Sequence, residues 1–564
     1  MRLKIFRSYL TIEEKKLRRK ELMLGVISGI LIGISFPPFP LQYLAFIAFI
    51  PFLFALERRE GLGGINRLMF STIFIFNLIA LYWVGSWMPE ADTFLMISGV
   101  LLMFVNPTIF MIASTLYFTS KRVFNKKIAL FLLPVFWVAF EYFHSITDLK
   151  FPWLTLGNSQ PYFTPYIQIA DIIGAHGLTL LILYVNIFFY LSVKNYLEKK
   201  KFSIVFASLG ILFLLVPLIY GFVKISNFEK SSYKLKVGLI QPNLNPWKKW
   251  AGGNLNEQLS NYLSLSDSAV SDGAKLIIWP ESALPVYLLS GTYPADSQRI
   301  KDFVREKNVF LLTGMPDATF SFDKTKAPED AKPLSHSDAV YISYNSLLFF
   351  SPLTHEVKKY GKIKLVPFGE KVPFVEVIPF LGDLIKWNVG ISSWNTGKDT
   401  VVFSMPKNLL GNNLKDSIKI GGVICIESIY PDYVAAFVQR GANFISVVTN
   451  DSWYGNSSGP YQHKEISTLR AVENRRAVVR AANGGITCLI DPLGRTISES
   501  VMYTRTYLVA DVPIEKELTF YTRNPLIVPI LCAAAAVWIF GLFLLKKYKE
   551  KFLDKDRESD EKNN

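Results

Sequence analysis

The sequence predicts a polytopic α-helical membrane domain of about eight spans joined to an extracytoplasmic α/β domain. Three observations carry that expectation. The chain has 564 residues, half of them hydrophobic and 14% aromatic, which is too long for one ordinary domain and too apolar for a wholly soluble one. Long apolar windows alternate with loops that are basic on every second turn of the chain. Between about 228 and 522 the pattern changes to short apolar runs separated by amphipathic stretches, the signature of strands alternating with helices.

Windows of roughly the length that carries a helix across a bilayer centre on 22–36, 41–56, 68–87, 94–118, 128–143, 173–193, 203–223 and 525–545. Eight Lys/Arg fall within the first 21 residues, and basic residues recur at Arg58, Arg59 and Arg67, at Lys121, Arg122, Lys126 and Lys127, at Lys194 and Lys199–Lys201, and after residue 545. The intervening loops are neutral or acidic, as at Glu90 and Asp92. The positive-inside rule places the basic loops in the cytoplasm, so both termini are expected there and the segment after the seventh crossing on the other side. The expected parts are 1–227, 228–522 and 523–564. No small-residue cleavage site follows Ile34-Ser35-Phe36-Pro37-Pro38, so the first apolar run reads as a retained helix rather than a signal peptide.

The net charge of +15 does not imply a nucleic-acid partner. Nearly all the excess sits in the terminal and inter-helix segments, whereas 231–524 carries 32 basic and 28 acidic residues, too even a balance for a phosphate-backbone surface. Three cysteines, Cys425, Cys488 and Cys532, do not make a disulfide framework. Five scattered histidines show no metal-ligand spacing, so neither a metal nor another cofactor is expected. Cys488 and Cys532 lie in apolar runs and read as packing residues. Glu141 and Asp171 sit at apolar spans, where ionisable groups are costly; they read equally as cavity residues or as helix-end caps.

In the extracytoplasmic segment, strands are expected at 235–241, 274–279, 309–313, 346–350, 418–424, 442–448 and 486–490, with a helix over 460–482 bearing Arg470, Arg475, Arg476 and Arg480. Two of these runs, and one further short stretch that ends a strand, lead directly to a reactive residue. Ile277-Ile278-Trp279-Pro280 leads to Glu281, Tyr360-Gly361 to Lys362, and Val423-Ile424 to Cys425. Attack on an ester or amide carbonyl needs a nucleophile, a base for its proton, and a positive or hydrogen-bonding group for the oxyanion. Cys425, Glu281 and Lys362 supply one of each, and the Ile426 backbone N–H could serve as a second oxyanion donor. Singly, each motif reads as no more than a strand end or a turn.

The combination resembles the apolipoprotein N-acyltransferase family. The resemblance rests on Phe151-Pro152-Trp153-Leu154 with Gly157 and Gln160, Gln241-Pro242-Asn243 with Lys249-Trp250, and Trp279-Pro280-Glu281-Ser282-Ala283-Leu284-Pro285. It extends through Tyr360-Gly361-Lys362, Leu365-Val366-Pro367-Phe368-Gly369-Glu370, Asn450-Asp451-Ser452-Trp453-Tyr454-Gly455, Gly459-Pro460-Tyr461-Gln462-His463 and Arg480-Ala481-Ala482-Asn483. The chain departs from the family at Ile426, Pro246 and Gly484, where Tyr, Gln and Thr are more usual.

This resemblance implies a nitrilase-like αββα sandwich inserted between the seventh and eighth helices, in a bacterial cytoplasmic membrane with the catalytic domain periplasmic. It implies Glu281 as general base, Lys362 as oxyanion stabiliser and Cys425 as acylated nucleophile. Glu370, Glu427, Trp250, Ile426 and Asn345 are implied as supporting residues. The two acids have the plainer reading of ion pairs to Lys362, and Trp250 that of an interfacial anchor. The implied donor is a phospholipid such as phosphatidylethanolamine, and the implied acceptor an S-diacylglyceryl lipoprotein. Residues 373–387, apolar, broken by proline and too short to span a bilayer, read equally as a lid dipping into the outer leaflet or as a buried connection in the domain core; the lid is the reading put to test. Replacing Phe380 and Leu381 with Asp is then expected to slow acyl loading while leaving the fold intact; unchanged activity on membrane-embedded lipid would refute the lid. Two other readings stay open at this point, a membrane-tethered amidase and a catalytically silent scaffold.

Overall fold

The computed structural model describes residues 11–563 apart from 230, 232, 251–252, 324, 326, 335–336, 375–393 and 408–415, with side chains through 551. The lid expected at 373–387 therefore lies, beyond Phe374, outside the described residues.

All eight apolar windows form helix, but among the described residues only six helices are long and apolar enough to cross a membrane: Leu62–Ala80, Thr93–Val123, Lys126–Ile146, Ala170–Lys199, Ile204–Ser226 and Ile527–Lys551. The first two windows fall outside this set for two physical reasons. Helix Ile12–Gly33 spends its first half on Lys15, Lys16, Arg18, Arg19 and Lys20, so its apolar part is short. The Gln42–Glu57 stretch is a short apolar piece, split into Gln42–Phe46 and Ile50–Glu57. The first helix packs through glycines four residues apart. A Cβ at Gly29 would lie 2.4 Å from the Thr72 carbonyl oxygen, and one at Gly33 would lie 2.8 Å from Ile79, so only a small-residue seam lets it approach Leu62–Ala80 this closely. Helix Ile204–Ser226 buries only Gly210, Pro217 and Gly221, leaving the rest of its apolar surface for lipid.

The basic loops meet at one end of this bundle. Arg59 pairs with Glu21 at 2.7 Å, Lys126 with Glu60 at 2.5 Å and Lys194 with Glu57 at 2.5 Å. Lys121 donates to the Arg59 carbonyl at 2.8 Å and Lys546 to that of Arg122 at 2.6 Å. The opposite helix ends carry the α/β domain. Gln462 accepts from the Trp153 and Trp83 indoles at 2.7 and 3.2 Å and donates to the carbonyls of Pro37 and Ala80. Asp171 anchors the domain by accepting from Arg475 at 2.9 Å and from Tyr220 at 2.7 Å, so it neither lines the cavity nor merely caps its helix.

The domain holds two stacked sheets. The first comprises β1 (Lys234–Gln241), β2 (Leu276–Trp279), β3 (Phe310–Ser321), β4 (Lys332–Pro333), β5 (Val340–Ser351), β6 (Thr354–Gly361) and β13 (Thr506–Pro513), in the order β13-β1-β2-β3-β5-β4 with β6 on β5. The second comprises β7 (Val402–Met405), β8 (Ile418–Ile424), β9 (Phe444–Thr449), β10 (Val478–Ala482), β11 (Cys488–Ile490) and β12 (Thr496–Glu499), in the order β12-β11-β10-β9-β8-β7. Strand alternation sorts the core. Leu276 and Ile278 face the second sheet in one cluster with Ile420, Val423 and Val447, whereas Ile277 and Trp279 pack outward on Leu259, Tyr262 and Ile300. Helices Leu255–Ser271 and Pro294–Glu306 cover one outer face, and Pro431–Gln439 and Ser458–Asn474 the other. The result is the expected αββα sandwich.

The helix expected over 460–482 is corrected to a helix at Ser458–Asn474 followed by β10. Arg475 ends the helix in the left-handed region at φ 47°, and Val478 and Val479 then pair in parallel with Ile445 and Ser446 of β9. The four arginines do not form a solvated face. Arg470 pairs with Glu473 at 2.7 Å, Arg480 with Asp451 at 2.6 Å, and Arg476 donates to the carbonyls of Ala442 and Glu517.

Candidate active site

Glu281, Lys362 and Cys425 come from three strand ends on two sheets and meet where the sandwich faces the membrane helices. Parallel pairing of β1, β2 and β3, and of β8, β9 and β10, aligns the carboxyl ends of these strands, where clefts form in α/β folds. Gly314 on β3 lets the Glu281 turn approach: a Cβ there would lie 2.6 Å from Glu281 Cα. Cys425 follows β8 with φ 50°, a left-handed conformation that non-glycine residues keep only when their surroundings hold it.

Lys362 is 1% exposed. Its Nζ lies 3.1 Å from Glu281 Oε1 and 2.9 Å from Glu370. Asn345 donates from Nδ2 to both carboxylates at 2.8 Å, and the Asn450 backbone N–H donates to the other Glu281 oxygen at 3.1 Å. Burial pulls the Lys362 ammonium down, but the charges of Glu281 and Glu370 outweigh it and hold the group well above its ordinary value. Burial pushes the Cys425 thiol up, Glu281 adds to the rise, and Lys362 only partly offsets it. The resting sulfur is thus a thiol, and a base must remove its proton during attack.

Glu370 pairs with Lys362 as the plainer reading expects. Glu427 makes no such ion pair. Fully buried, it accepts from the Tyr360 hydroxyl at 2.6 Å and from the backbone N–H groups of Ile363, Ile424 and Lys364 at 2.7, 2.9 and 3.2 Å. It thereby ties the turn after Lys362 to the strand end before Cys425.

Two cavities meet at Cys425. One is polar and lined by Glu281, Lys362, Glu370, Asn345, Asn450 and Trp250. The other has about 1300 Å³ of space, its open mouth included, and is lined by Cys425, Ile426, Trp83, Phe151 and Trp153 and by Leu95, Leu102, Val105 and Ile109 of the Thr93–Val123 helix. At 1.5 Å rise per residue, Leu95 to Ile109 covers about 21 Å along that helix. Glu141 accepts from Trp137, Thr179 and the Leu156 N–H and lines a small separate cavity with Asn106 and His144.

Three of the expected supporting residues line this site directly: Trp250 on the polar wall, Ile426 on the apolar wall, Asn345 between the two acids. Asn450, which donates to Glu281, was not among the site residues expected from the sequence, although it too directly follows an apolar strand run, Phe444–Thr449. Among the described residues no group of His, Cys, Asp and Glu could hold a metal ion.

Comparison with known proteins agrees with this geometry. Residues 28–188 match the apolipoprotein N-acyltransferase N-terminal domain, and residues 236–517 match the carbon-nitrogen hydrolase family, to which nitrilases belong. The apolipoprotein N-acyltransferase of Geobacter metallireducens is 31% identical over 538 residues, covering 94% of this chain and 96% of its own. That of Chlorobaculum tepidum is 35% identical over 529 residues, covering 92% and 96%. With 31–35% identity to these relatives along nearly the full length and both component domains present, the chain belongs to the apolipoprotein N-acyltransferase family.

Proposed function

We propose that the protein is an acyltransferase that moves a fatty acyl group from a phospholipid, with phosphatidylethanolamine the expected donor, to the α-amine of an S-diacylglyceryl-cysteine at a lipoprotein N-terminus. The observation that carries this reading is the position of Cys425, at the junction of a polar cavity holding Glu281 and Lys362 and an apolar cavity running along a membrane helix. A hydrolase of small amides has no use for an apolar channel of this length, and a scaffold has no use for a buried ammonium between two carboxylates.

In the first half-reaction Cys425 Sγ attacks the ester carbonyl carbon while Glu281 takes the thiol proton. Negative charge develops on the carbonyl oxygen toward Lys362 and the Ile426 N–H. Collapse expels the lysophospholipid oxygen, which takes the proton from Glu281, and leaves a thioester. In the second, the neutral amine attacks the thioester carbon, Glu281 takes its proton, and the departing sulfur receives that proton. Glu370, Asn345 and Glu427 hold the reacting groups in place, and Trp250 borders the substrate.

The same reading divides the chain into 1–227, 228–522 and 523–564, with a periplasmic catalytic domain and both termini cytoplasmic in a bacterial inner membrane. The gathering of basic loops at the bundle end away from the strands supports this orientation. Counting both of the first two helical segments as crossings, or neither, leaves an odd number before β1, so the domain falls opposite the N-terminus either way.

Incubation of the purified protein with phosphatidylethanolamine is expected to add one acyl group, seen by intact-mass spectrometry. The adduct should be removed by hydroxylamine, be absent from Cys425→Ala, and transfer to a diacylglyceryl-cysteine peptide. No adduct on folded protein would refute the reading, and discharge to water as fast as to the lipopeptide would favour the amidase.

A further inference from the structure

Behind the nucleophile lies a chain of buried polar groups that the steps above do not use. His463, 3% exposed, projects from the first turns of the Ser458–Asn474 helix. Its Nδ1 lies 2.9 Å from Asp451 Oδ1. Its Nε2 lies 3.1 Å from the Cys425 carbonyl oxygen and 2.9 Å from Ser428 Oγ. The Ser428 hydroxyl donates to that same carbonyl at 2.8 Å. Asp451 is itself held by the Thr449 hydroxyl at 2.8 Å and by Arg480 at 2.6 Å. An Nε2–H directed at the Cys425 carbonyl and the Ser428 hydroxyl together give that oxygen two donors, while Nδ1 faces the Asp451 carboxylate.

We propose that His463, backed by Asp451, is a positioning residue that locks and polarises the Cys425–Ile426 peptide so that its N–H is aimed at the oxyanion of acyl transfer. The warrant is the geometry of a single peptide unit. In a planar trans peptide the C=O and the N–H point in opposite directions. Donors fixed on the Cys425 carbonyl from the side of the Ser458–Asn474 helix therefore direct the Ile426 N–H the other way. Hydrogen bonds accepted by the carbonyl also draw charge from the N–H and make it a stronger donor. The Cys425 backbone is in the left-handed region, so an unsupported peptide would be free to relax out of this orientation. The nucleophile and the oxyanion donor are then set by one hydrogen-bonded unit.

The inference rests on the thioester reading, and the test separates the two. Two reactions at the same sulfur are compared in the full-length protein in phospholipid–detergent micelles. Acylation by phosphatidylethanolamine passes through an oxyanion; alkylation by iodoacetamide displaces iodide and does not. His463→Leu is expected to slow acylation about tenfold or more, approaching the loss of one oxyanion donor, while alkylation changes by less than about twofold. His463→Gln, whose amide N–H can still reach the carbonyl, should recover part of the acylation rate. Ser428→Ala, which removes the second donor, should give a smaller loss of the same kind. Acylation by folded His463→Leu at the wild-type rate would overturn the proposal, as would acylation and alkylation falling in parallel, which is the mark of a structural role. Should His463→Leu not fold, wild-type acylation in both Ser428→Ala and His463→Gln would overturn it equally. A wild type that takes no acyl group overturns the thioester reading with it, whereas a wild-type adduct beside an equally fast His463→Leu overturns this inference alone.

Discussion

Lys362→Met is expected to abolish acyl transfer and to lower the unfolding midpoint in the same protein. The ammonium it removes is 1% exposed and sits between Glu281 at 3.1 Å and Glu370 at 2.9 Å. Without it, two buried carboxylates share Asn345, and no other ion pair to either is found among the described residues. Deleting one partner of a buried ion pair costs about 3–5 kcal/mol, because the charge left behind has lost its compensation. The fold can shed part of that cost by binding a proton on one acid, but a protonated Glu281 can no longer accept the thiol proton. Loss of the charge facing the oxyanion removes a further factor of about 10²–10³ in rate. Lys362→Arg should not rescue, because a planar fork with fixed donor directions does not replace a compact ammonium in a filled space. The wild-type Lys362 is held well above its ordinary value by the charges of Glu281 and Glu370, so its contribution to stability is complete below the unfolded value and is lost only as pH rises through the higher folded one. Stability at neutral pH should therefore not report on this group, and the substitution is the way to see it. Thermal unfolding together with the rate of adduct formation tests the prediction; a Met variant with wild-type midpoint and rate would make Lys362 a bystander.

Glu281 and Cys425 were legible because each follows an apolar strand run, whereas Lys362 follows the polar strand Thr354–Gly361 and was legible only through Tyr360-Gly361-Lys362 in combination with the other two. The supporting contacts were less legible, because their partners lie far away in the chain. Arg475 meets Asp171 across 304 positions, and nothing local distinguishes it from a surface arginine. The continuation of the helix past Asn474 was misjudged for a related reason. The residues Arg475-Arg476-Ala477 suit a helix as well as a turn, and pairing with β9 decides the matter for Val478 and Val479. The first two apolar windows differ from the other six on another point: hydropathy registers an apolar run but not how it is divided, and Gln42–Glu57 is a short apolar stretch split in two. The role of Glu427 was the least visible. Next to a nucleophile, an acid suggests an ion pair with the nearby lysine, whereas its actual partners are mostly backbone N–H groups, which the sequence writes identically at every position.

That role gives the second large expected effect. Glu427→Leu should cost a few kcal/mol and disable the site, although Glu427 touches no reacting atom. The side chain is fully buried and accepts from the Tyr360 hydroxyl, the N–H groups of Ile363, Lys364 and Ile424, and the Tyr433 hydroxyl at 3.2 Å. Leucine fills much of the same volume and accepts nothing. Each buried donor left without a partner costs about 1–3 kcal/mol; Tyr360 and Tyr433 can still pair with each other and Ile363 and Lys364 are only part-buried, so the loss comes to a few kcal/mol. The donors flank the site on both sides: Ile363 and Lys364 follow Lys362, and Ile424 precedes Cys425. Cutting them loose frees the ammonium and the sulfur to move independently, and misplacement on the scale of 1 Å is enough to cost about 10²-fold in rate. Glu427→Gln separates the two consequences. It keeps the shape and one acceptor oxygen but turns an NH2 group toward donors, so it should fold with an intermediate midpoint and still acylate slowly at temperatures where it is fully native. If Glu427→Leu unfolds at the wild-type midpoint, or if native Glu427→Gln loads acyl groups at the wild-type rate, the two strand ends are aligned by something other than this carboxylate.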